Sequence, residues 1–329
     1  MADRKRDHIE MAFRSQIGKI DKDRRFVYEP MLSPHPSKIE PISFLGKRLK
    51  APVWISSMTG GTKMAKKINI NLATLAREFG LGMGLGSCRC ILEDESCLED
   101  FDVREIIGED LPLYANLGIC QVETMLENKQ VYRIEHLINS IRADGLIVHI
   151  NPFQEFFQPE GDVLKRAPID IIEELLNLVD FNIIVKEVGQ GMGYNSLKAL
   201  LKLPVAAIDF GAFGGTNFSR LELLRNNQQI IQSIGGLAQV GQTAEEMTCD
   251  MNKLFEEFPE YQNKEIIISG GIKGFLDGYY LINKIKHKAI YGQGSAFLAY
   301  ATEDYETLKF FFNYQLNGLQ MANAYLRVV

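Results

Sequence analysis

Residues 183–211 read IIVKEVGQGMGYNSLKALLKLPVAAIDFG, and this stretch decides the fold. Two short apolar runs, Ile183–Glu187 and Val205–Phe210, flank a helical segment at Ser196–Leu201. Runs that are apolar on both faces are typical of strands in a buried parallel sheet. The stretch therefore predicts a β–α–β unit, which is the building block of parallel α/β folds.

The same alternation recurs along the chain after residue 50. Apolar runs predict eight strands, at Val53–Ser57, Leu81–Gly84, Leu113–Leu117, Leu146–Ile150, Ile183–Glu187, Val205–Phe210, Ile266–Ser269 and Ala289–Gly292. Helices are predicted at Lys66–Phe79, Val131–Arg142, Ile169–Val179, Ser196–Leu201, Ala244–Phe258 and Phe275–Ile285, with a last helix after Asp304. Eight such units favour a (β/α)8 barrel. We predict one domain over residues 51–329 and an N-terminal extension over residues 1–50 that packs on the barrel or reaches its active end.

Length and composition are those of a soluble globular protein. The 329 residues are 46% hydrophobic and 24% charged, which excludes a mainly disordered or coiled-coil chain. A formal net charge of −6 gives no global positive field for binding nucleic acid. No apolar run is long enough to span a membrane, and the N-terminus lacks a secretory signal, so we expect a cytoplasmic protein without membrane segments.

Glycine-rich or polar clusters follow strand after strand. They are Met58-Thr59-Gly60-Gly61, Gly86-Ser87, Asn116-Leu117-Gly118, Gly189-Gln190-Gly191, Gly211–Thr216 and Gly270-Gly271. A single Gly-Gly pair is usually only a tight turn, but so many at one barrel end favour a phosphate-bearing ligand, held by backbone N–H groups and helix N-termini. The Gly/Gln-rich stretch Leu223–Gln242 is interpreted as a mobile excursion or lid over this end, or as an insertion without functional weight.

The most distinctive polar stretch begins at the end of the fourth predicted strand. Strand alternation places His149 and Asn151 on the same side, and Gln154 and Glu155 follow them. The carboxyl end of a barrel strand is a typical place for reacting groups. The alternative is a surface turn in which Glu155 is simply solvated.

Three cationic positions could serve a ligand. Lys186 ends the fifth predicted strand, where it could form a Schiff base, hold an electron-rich cofactor ring, or make a structural ion pair with Glu187. Arg89 follows the second strand, and with the N-terminal run Arg4-Lys5-Arg6-Asp7-His8 it could bind a diphosphate. The run alone is more typical of a solvated tail.

Other chemistries find little support in the sequence. Cys88, Cys90 and Cys97 lack paired C-x2-C spacing and a nearby histidine, which argues against a zinc site. The sequence contains no Gly-x-Ser-x-Gly elbow, Walker loop or His-Glu-x-x-His motif, so the commonest hydrolases, NTPases and zinc proteases are excluded.

These motifs together resemble one family closely, the flavin-dependent type 2 isopentenyl-diphosphate Δ-isomerases. The resemblance covers nearly the whole chain. It rests on Arg4-Lys5-x-x-His8-Ile9, Ser56-Ser57-Met58-Thr59-Gly60-Gly61, Gly86-Ser87-Cys88-Arg89, His149-x-Asn151-x-x-Gln154-Glu155, Gln158-Pro159-Glu160-Gly161-Asp162, Val185-Lys186-Glu187-Val188-Gly189 and Gly214-Gly215-Thr216-Asn217. The Gln154-Glu155 pair with the block at 158–162 is the most specific part, because other FMN barrels share only the lysine and the late Gly-Gly turn.

The resemblance implies a barrel that binds FMN at its C-terminal face, uses Mg2+ and a reductant, usually NADPH, and interconverts isopentenyl diphosphate and dimethylallyl diphosphate. FMN contacts are implied for Ser57, Met58, Thr59, Gly60, Ser87, Asn116, Lys186 and Thr216, with Gly271, Lys273, Gly294 and Ser295 around its phosphate. Substrate binding is implied for Arg4, Lys5, His8, Arg89, His149, Asn151 and Gln154. Gln154 would also lie beside the reacting carbons as the catalytic residue, and Glu155 would bind Mg2+. The family usually forms homo-oligomers, tetramers or octamers.

The chain departs from the family pattern at three positions. Cys88 stands where the family commonly has glutamine, Gly193 where a serine often follows the turn, and Lys273 where arginine is usual. Two other functions remain open. An FMN-dependent oxidoreductase of the hydroxy-acid oxidase or dihydroorotate dehydrogenase type would need a base near the oxidised carbon, often a His–Arg pair late in the barrel, whereas the only late histidine here is His287. The other alternative is a phosphate-ligand binding barrel without catalytic activity.

Overall fold

A computed structural model describes residues 2–36, 38–58, 63–261 and 263–329. Its strands are β1 (Phe26–Tyr28), β2 (Ile42–Phe44), β3 (Lys47–Leu49), β4 (Val53–Ile55), β5 (Gly82–Gly84), β6 (Leu113–Gly118), β7 (Gly145–Ile150), β8 (Asn182–Glu187), β9 (Ala207–Asp209), β10 (Glu265–Ile268), β11 (Ala289–Gln293) and β12 (Leu326–Val328). Strands β4 to β11 are parallel neighbours in sequence order, and β11 pairs with β4 to close the barrel. The predicted (β/α)8 barrel is confirmed, and all eight predicted strands are present.

The helices surround this barrel. They are α1 (Ala2–Met11), α2 (Lys63–Phe79), α3 (Arg89–Glu93), α4 (Arg104–Ile107), α5 (Ile119–Glu127), α6 (Tyr132–Ser140), α7 (Pro152–Phe157), α8 (Pro168–Leu178), α9 (Tyr194–Leu201), α10 (Phe218–Arg225), α11 (Gln228–Ile234), α12 (Ala244–Glu257), α13 (Phe275–Lys284), α14 (Ser295–Ala301) and α15 (Tyr305–Tyr325). Every predicted helix is present. Some helices were not predicted, and α5 is one of them. It starts directly at the end of β6, and no capping side chain marks its beginning in the sequence.

Burial explains why the strands read as apolar runs. All six positions of β6 are buried, because one face packs in the barrel and the other packs under helices. Aromatic rings fill part of the interior, with Trp54 lying 6.4 Å from Phe44 and 6.1 Å from Tyr114 between ring centroids. The barrel interior is therefore a packed core rather than a pore.

The N-terminal extension contacts both ends of the barrel. Its hairpin β2–β3 buries Phe44 and Leu49 completely, and Lys47 forms an ion pair with Asp144, just before β7 begins. This hairpin therefore closes the N-terminal end of the barrel. At the opposite end, β1 pairs antiparallel with β12, and the preceding Arg25 forms a 2.7 Å ion pair with Asp277 in the first turn of α13.

The stretch Leu223–Gln242, interpreted from the sequence as a mobile excursion or lid or as an insertion, is mostly helical. It contains the end of α10, all of α11 and a 3-10 helix at Gly235–Gln239. The local signals are asparagine caps: the Asn217 side chain accepts the Arg220 N–H, and the Asn227 side chain accepts the Ile230 N–H. In the described part of the chain, no helix is long and apolar enough to cross a membrane.

Candidate active site

A cavity of about 380 Å³ opens at the C-terminal end of the barrel. The turns after β4, β8, β9, β10 and β11 line it with Ser57, Met58, Lys186, Thr216, Gly271, Lys273, Gly294 and Ser295, among others. Each of these eight residues was predicted to contact FMN or its phosphate. A volume of this size is within the range of sites for small ligands and cofactors, roughly 300–1,000 Å³.

A smaller cavity of about 100 Å³ adjoins the first, because both are lined by Ser57, Met58, Lys186, Val188 and Phe218. Its remaining walls are Gly86, Ser87, Asn116, His149 and Gln154. The rim therefore offers a large compartment on the β8–β11 side and a small one on the β5–β7 side. Ser87, Asn116, His149 and Gln154, four more predicted site residues, lie at the small one.

Two glycine turns pack against each other at the wall of the large cavity. A Cβ atom on Gly215 would lie 2.8 Å from the Gly271 nitrogen, and one on Gly270, where φ is 87°, would lie 2.1 Å from the Ala212 oxygen. Only glycine allows this approach and this backbone conformation. The turns after β9 and β10 thus present backbone to the cavity, as phosphate binding requires.

Two hydroxyl groups at the cavity are buried without a partner. The Oγ atoms of Ser56 and Ser57 make no hydrogen bond within the described residues. A buried hydroxyl without a partner costs about 1–3 kcal/mol, so a ligand that supplies polar atoms here would relieve that cost. Unsatisfied hydroxyls, exposed backbone and a nearby lysine fit the polar edge and phosphate of a flavin mononucleotide.

His149, Lys186 and Asp209 form a row across three neighbouring strands. His149 on β7 is the register partner of Lys186 on β8, which is the register partner of Asp209 on β9. Register partners in a parallel sheet point to the same face, so the three side chains share one layer of the barrel rim. The Lys186 ammonium therefore lies between the imidazole of His149 and the fully buried carboxyl group of Asp209.

Lys186 is not held by a structural ion pair with Glu187, so that alternative is wrong. The Lys186 ammonium donates to the backbone oxygen of Glu187 at 2.7 Å. The Glu187 carboxylate instead accepts the N–H groups of Gly189 and Gly191 at 2.8 and 2.7 Å, and that of Gln190. Glu187 thus shapes the turn after β8, while Lys186 borders both cavities.

His149 is neutral and oriented. Its Nδ1 lies 2.6 Å from Asn116 Oδ1, which can only accept, so Nδ1 carries the proton and Nε2 is left as an acceptor. Burial, helped by the charge of Lys186, lowers the pKa of His149 from 6.5 to about 4. The pKa of Asp209 is raised by burial, although Lys186 and the Ser269 hydroxyl pull it down.

Asn151, Gln154 and Glu155 form a connected group beside the small cavity. The Asn151 amide donates to Glu155 at 2.8 Å and lies 3.4 Å from the Gln154 amide oxygen. The other Glu155 oxygen accepts the backbone N–H of Asp162 at 2.9 Å. The side chain of Glu155 is buried and held at both oxygens, so the interpretation of Glu155 as a solvated surface acid is wrong.

Arg89 completes this edge of the site. It forms a 3.0 Å ion pair with Glu93 and lies 3.5 Å from Asp162, which also accepts from Gln121 at 3.1 Å. No group of three or more His, Cys, Asp or Glu side chains among the described residues could hold a metal ion. Mg2+ often uses one or two protein carboxylates plus substrate phosphates and water, and Glu155 fits that kind of site.

Some predicted residues are not placed at the rim. Arg4, Lys5 and His8 lie on α1 and are exposed, and their side chains make no hydrogen bond or ion pair within the described ranges. Thr59 and Gly60 fall outside the described residues. Another residue of the N-terminal extension, Arg25, does reach the rim. Its side chain donates to Asp277, and Asp277 also accepts the backbone N–H of Lys273 at 2.9 Å. Lys273 lines the large cavity.

Several residues at the rim were not predicted from the sequence to belong to the site. Asp209 ends an apolar run just as Lys186 does, and that signal could have identified it. Its carboxylate accepts a hydrogen bond from the Ser269 hydroxyl, and its other oxygen is buried with no partner among the residues that the structure describes. Ser269 lines the large cavity and also accepts the Gly211 N–H at 3.0 Å. Ser56 and Phe218 were likewise not assigned to the site.

The remaining candidates lie elsewhere. Cys88 is buried and donates to the Gly86 oxygen at 3.4 Å, and burial raises the pKa of its thiol to about 12, so it is not poised to bind metal. His287 precedes β11, at the N-terminal end of the barrel, with its ring centroid 3.8 Å from that of Phe255. It cannot supply the late catalytic base that a hydroxy-acid oxidase needs.

The chain is similar in sequence to known proteins at moderate identity. No protein-family model matches the chain. The isopentenyl-diphosphate delta-isomerases of Rickettsia typhi and Rickettsia prowazekii are each 34% identical over 282 residues, which cover 84% of this chain and 80% of theirs. The enzyme of that name from Pelodictyon phaeoclathratiforme is 34% identical over 288 residues, with the same coverage.

Solved structures resemble the barrel more distantly. A flavocytochrome b2 with sulfite bound has a TM-score of 0.62 and 14% identity, covering 91% of this chain and 72% of that one. A mandelate oxidase with an FMN adduct has a TM-score of 0.56 and 11% identity, covering 92% and 88%. At these identities the likeness is one of fold alone.

Proposed function

The chain belongs to the isopentenyl-diphosphate delta-isomerase family, and from this premise we propose that it interconverts isopentenyl diphosphate and dimethylallyl diphosphate on reduced FMN. The observation that carries the proposal is the identity of 34% over 84% of the chain to relatives with that name. The geometry supports it, because a phosphate-type cradle and a separate polar compartment meet at Lys186.

We assign the large cavity to FMN. Thr216, Gly271, Lys273, Gly294 and Ser295 would hold its phosphate through backbone N–H groups, hydroxyls and one ammonium. Ser57, Met58 and Lys186 would surround the ring, together with Thr59 and Gly60. Ser87 and Asn116, which line the small cavity, would contact the edge of the ring that borders it. Lys186 would favour the anionic reduced ring by Coulomb attraction in a poorly screened site.

The small cavity is assigned to the olefin. Moving a double bond by one carbon adds a proton at one carbon and removes one from another, with no net oxidation. Reduced FMN supplies an electron-rich ring that can stabilise positive charge on the allylic carbons and exchange the proton. Gln154 would position the reacting carbons as the catalytic residue, and the neutral His149 would accept a hydrogen bond through Nε2.

The diphosphate would lie along the edge formed by Asn151, Glu155 and Arg89. Glu155 would hold Mg2+, which would offset part of the negative charge of the diphosphate, and Arg89 would neutralise a further part. Arg4, Lys5 and His8 would reach the same anion from the N-terminal extension.

We also propose that NADPH is the reductant, that the protein is cytoplasmic, and that it forms a homo-oligomer, either a tetramer or an octamer.

The test is turnover of isopentenyl diphosphate by protein loaded with FMN, Mg2+ and a reductant in deuterated water. We expect dimethylallyl diphosphate carrying deuterium, with the flavin still reduced at the end. Stoichiometric flavin reduction by a 2-hydroxy acid, without rearrangement of the diphosphate, would instead decide for an FMN-dependent oxidoreductase. Absence of both reactions in FMN-loaded protein would favour a binding barrel without catalytic activity.

A further inference from the structure

We propose that the helical excursion Leu223–Gln242 is a positioning element for catalysis, which holds helix α7 so that Gln154 and Glu155 stay at the rim. The inference rests on the proposed function, because it takes Gln154 and Glu155 as working residues. From the sequence alone, this stretch could be a lid or an insertion without functional weight. Asn226 and Phe157 are the positioning residues through which it acts.

A small hydrophobic cluster joins the excursion to α7. Phe157, Leu223 and Ala238 are 3%, 4% and 6% exposed, and Phe153, Ile230 and Ile234 pack against them. This cluster is separate from the main barrel core. Helix α7 supplies the two phenylalanines of this cluster, Phe153 and Phe157. The other members come from α10, α11 and the 3-10 helix, so these three elements fix one side of α7.

A side-chain amide adds a directional link. Asn226 Nδ2 donates to the carbonyl oxygen of Phe157, the last residue of α7, at 2.7 Å, and to that of Glu222 at 2.9 Å. A helix leaves its last carbonyl groups without internal partners, so Asn226 satisfies one of them at the end of α7. Just beyond the helix, Arg225 forms a 2.7 Å ion pair with Glu160.

The excursion is itself tied to the barrel rim. The Gln190 amide, in the turn after β8, donates to the carbonyl oxygens of Leu237 and Val240 at 3.1 and 2.6 Å. The Asn217 amide donates to Ala238 at 3.1 Å. The Gln190 bonds anchor the excursion to the turn that Glu187 shapes, and the Asn217 bond anchors it to the start of α10. Helix α7 is therefore connected to a fixed part of the barrel rim.

Helix α7 needs such support because it is short. It has six residues, and no side chain caps its N-terminus. An isolated helix of this length is unstable in water. Gln154 lines the small cavity while Phe153 and Phe157 face the excursion, so a loosened cluster would displace the groups that the reaction depends on.

Asn226→Asp tests the link with little change of size, because it removes the amide donor. Asn252→Asp is a matched control: Asn252 is also half-buried, and its amide donates at 3.0 Å to Lys284, the last residue of α13, away from the rim. Phe157→Leu tests the cluster without relying on Asn226. Each FMN-loaded variant is measured for hydrogen exchange at residues 153–158, for kcat and KM with isopentenyl diphosphate, and for FMN affinity.

For Asn226→Asp and Phe157→Leu we expect faster exchange in α7 and a fall in kcat of about tenfold or more, since misplacement of about 1 Å can cost about 100-fold. FMN affinity should stay within about twofold, because the excursion does not line the large cavity. Asn252→Asp should match the wild type throughout. Faster exchange with unchanged kcat, or unchanged exchange, would overturn the positioning role and leave the proposed function standing. Wild-type protein without isomerase activity would overturn the proposed function itself and the positioning role with it.

Discussion

The neutral state of His149 predicts a specific dependence of stability on pH. Its pKa is about 4 in the folded chain against an ordinary value of 6.5, so between those values the unfolded chain binds the extra proton. Stability contributed by the neutral ring is therefore present above pH 6.5 and is lost as the pH falls toward 4. Integrating the proton uptake from pH 7 to pH 5 gives a loss of about 2 kcal/mol.

The assay is urea unfolding of the FMN-free protein at both pH values, for the wild type and for His149→Gln. Glutamine can still donate to Asn116 but does not titrate, so the difference between the two proteins isolates the histidine. We expect the wild type to lose about 2 kcal/mol more than the variant on going from pH 7 to pH 5. His136→Gln, at an exposed position, serves as the control and should follow the wild type. Equal losses in wild type and His149→Gln would refute the placement of a buried, neutral imidazole beside Lys186.

Further predictions concern the rim. Gln154→Ala and Glu155→Ala should each lower isomerase activity by about 100-fold or more while FMN binding persists, and unchanged rearrangement rates in both would reject their assigned roles. Lys186→Ala should weaken FMN binding by about tenfold or more, because the charge beside the ring is lost; titration with FMN checks this, and an unaltered flavin spectrum and affinity would count against the placement. Gly193→Ser should raise the free energy of unfolding by about 0.5 kcal/mol, since a Cβ there meets no described atom within 4 Å and α9 lacks a side-chain cap; a lower urea midpoint would contradict this.

The barrel could be predicted because its strands are buried on both faces. Continuous apolar runs such as Ile183–Val185 have few other places in a soluble protein, and glycine turns mark where each strand ends. The same logic found Lys186, a charge at the end of such a run. Asp209 presents the same signal on the next strand, but its importance depends on register with Lys186, which one strand alone does not reveal.

The connections around the rim were harder to predict. Helices α10 and α11 are short, and their stability comes from packing on Phe157 rather than from a strong helical pattern of their own. Likewise, nothing in the sequence around Asn226 indicates that its amide meets the end of α7, 69 positions away. Such long-range contacts determine where Gln154 lies, and they follow from the closed barrel rather than from local sequence.

The most direct test of the account is a crystal structure of the reduced, FMN-loaded protein with Mg2+ and an unreactive analogue of isopentenyl diphosphate. The account predicts the isoalloxazine in the large cavity with one edge against Lys186, and the five-carbon chain in the small cavity between the ring and Gln154. A large cavity without flavin, or an analogue bound away from Gln154 and Glu155, would contradict it.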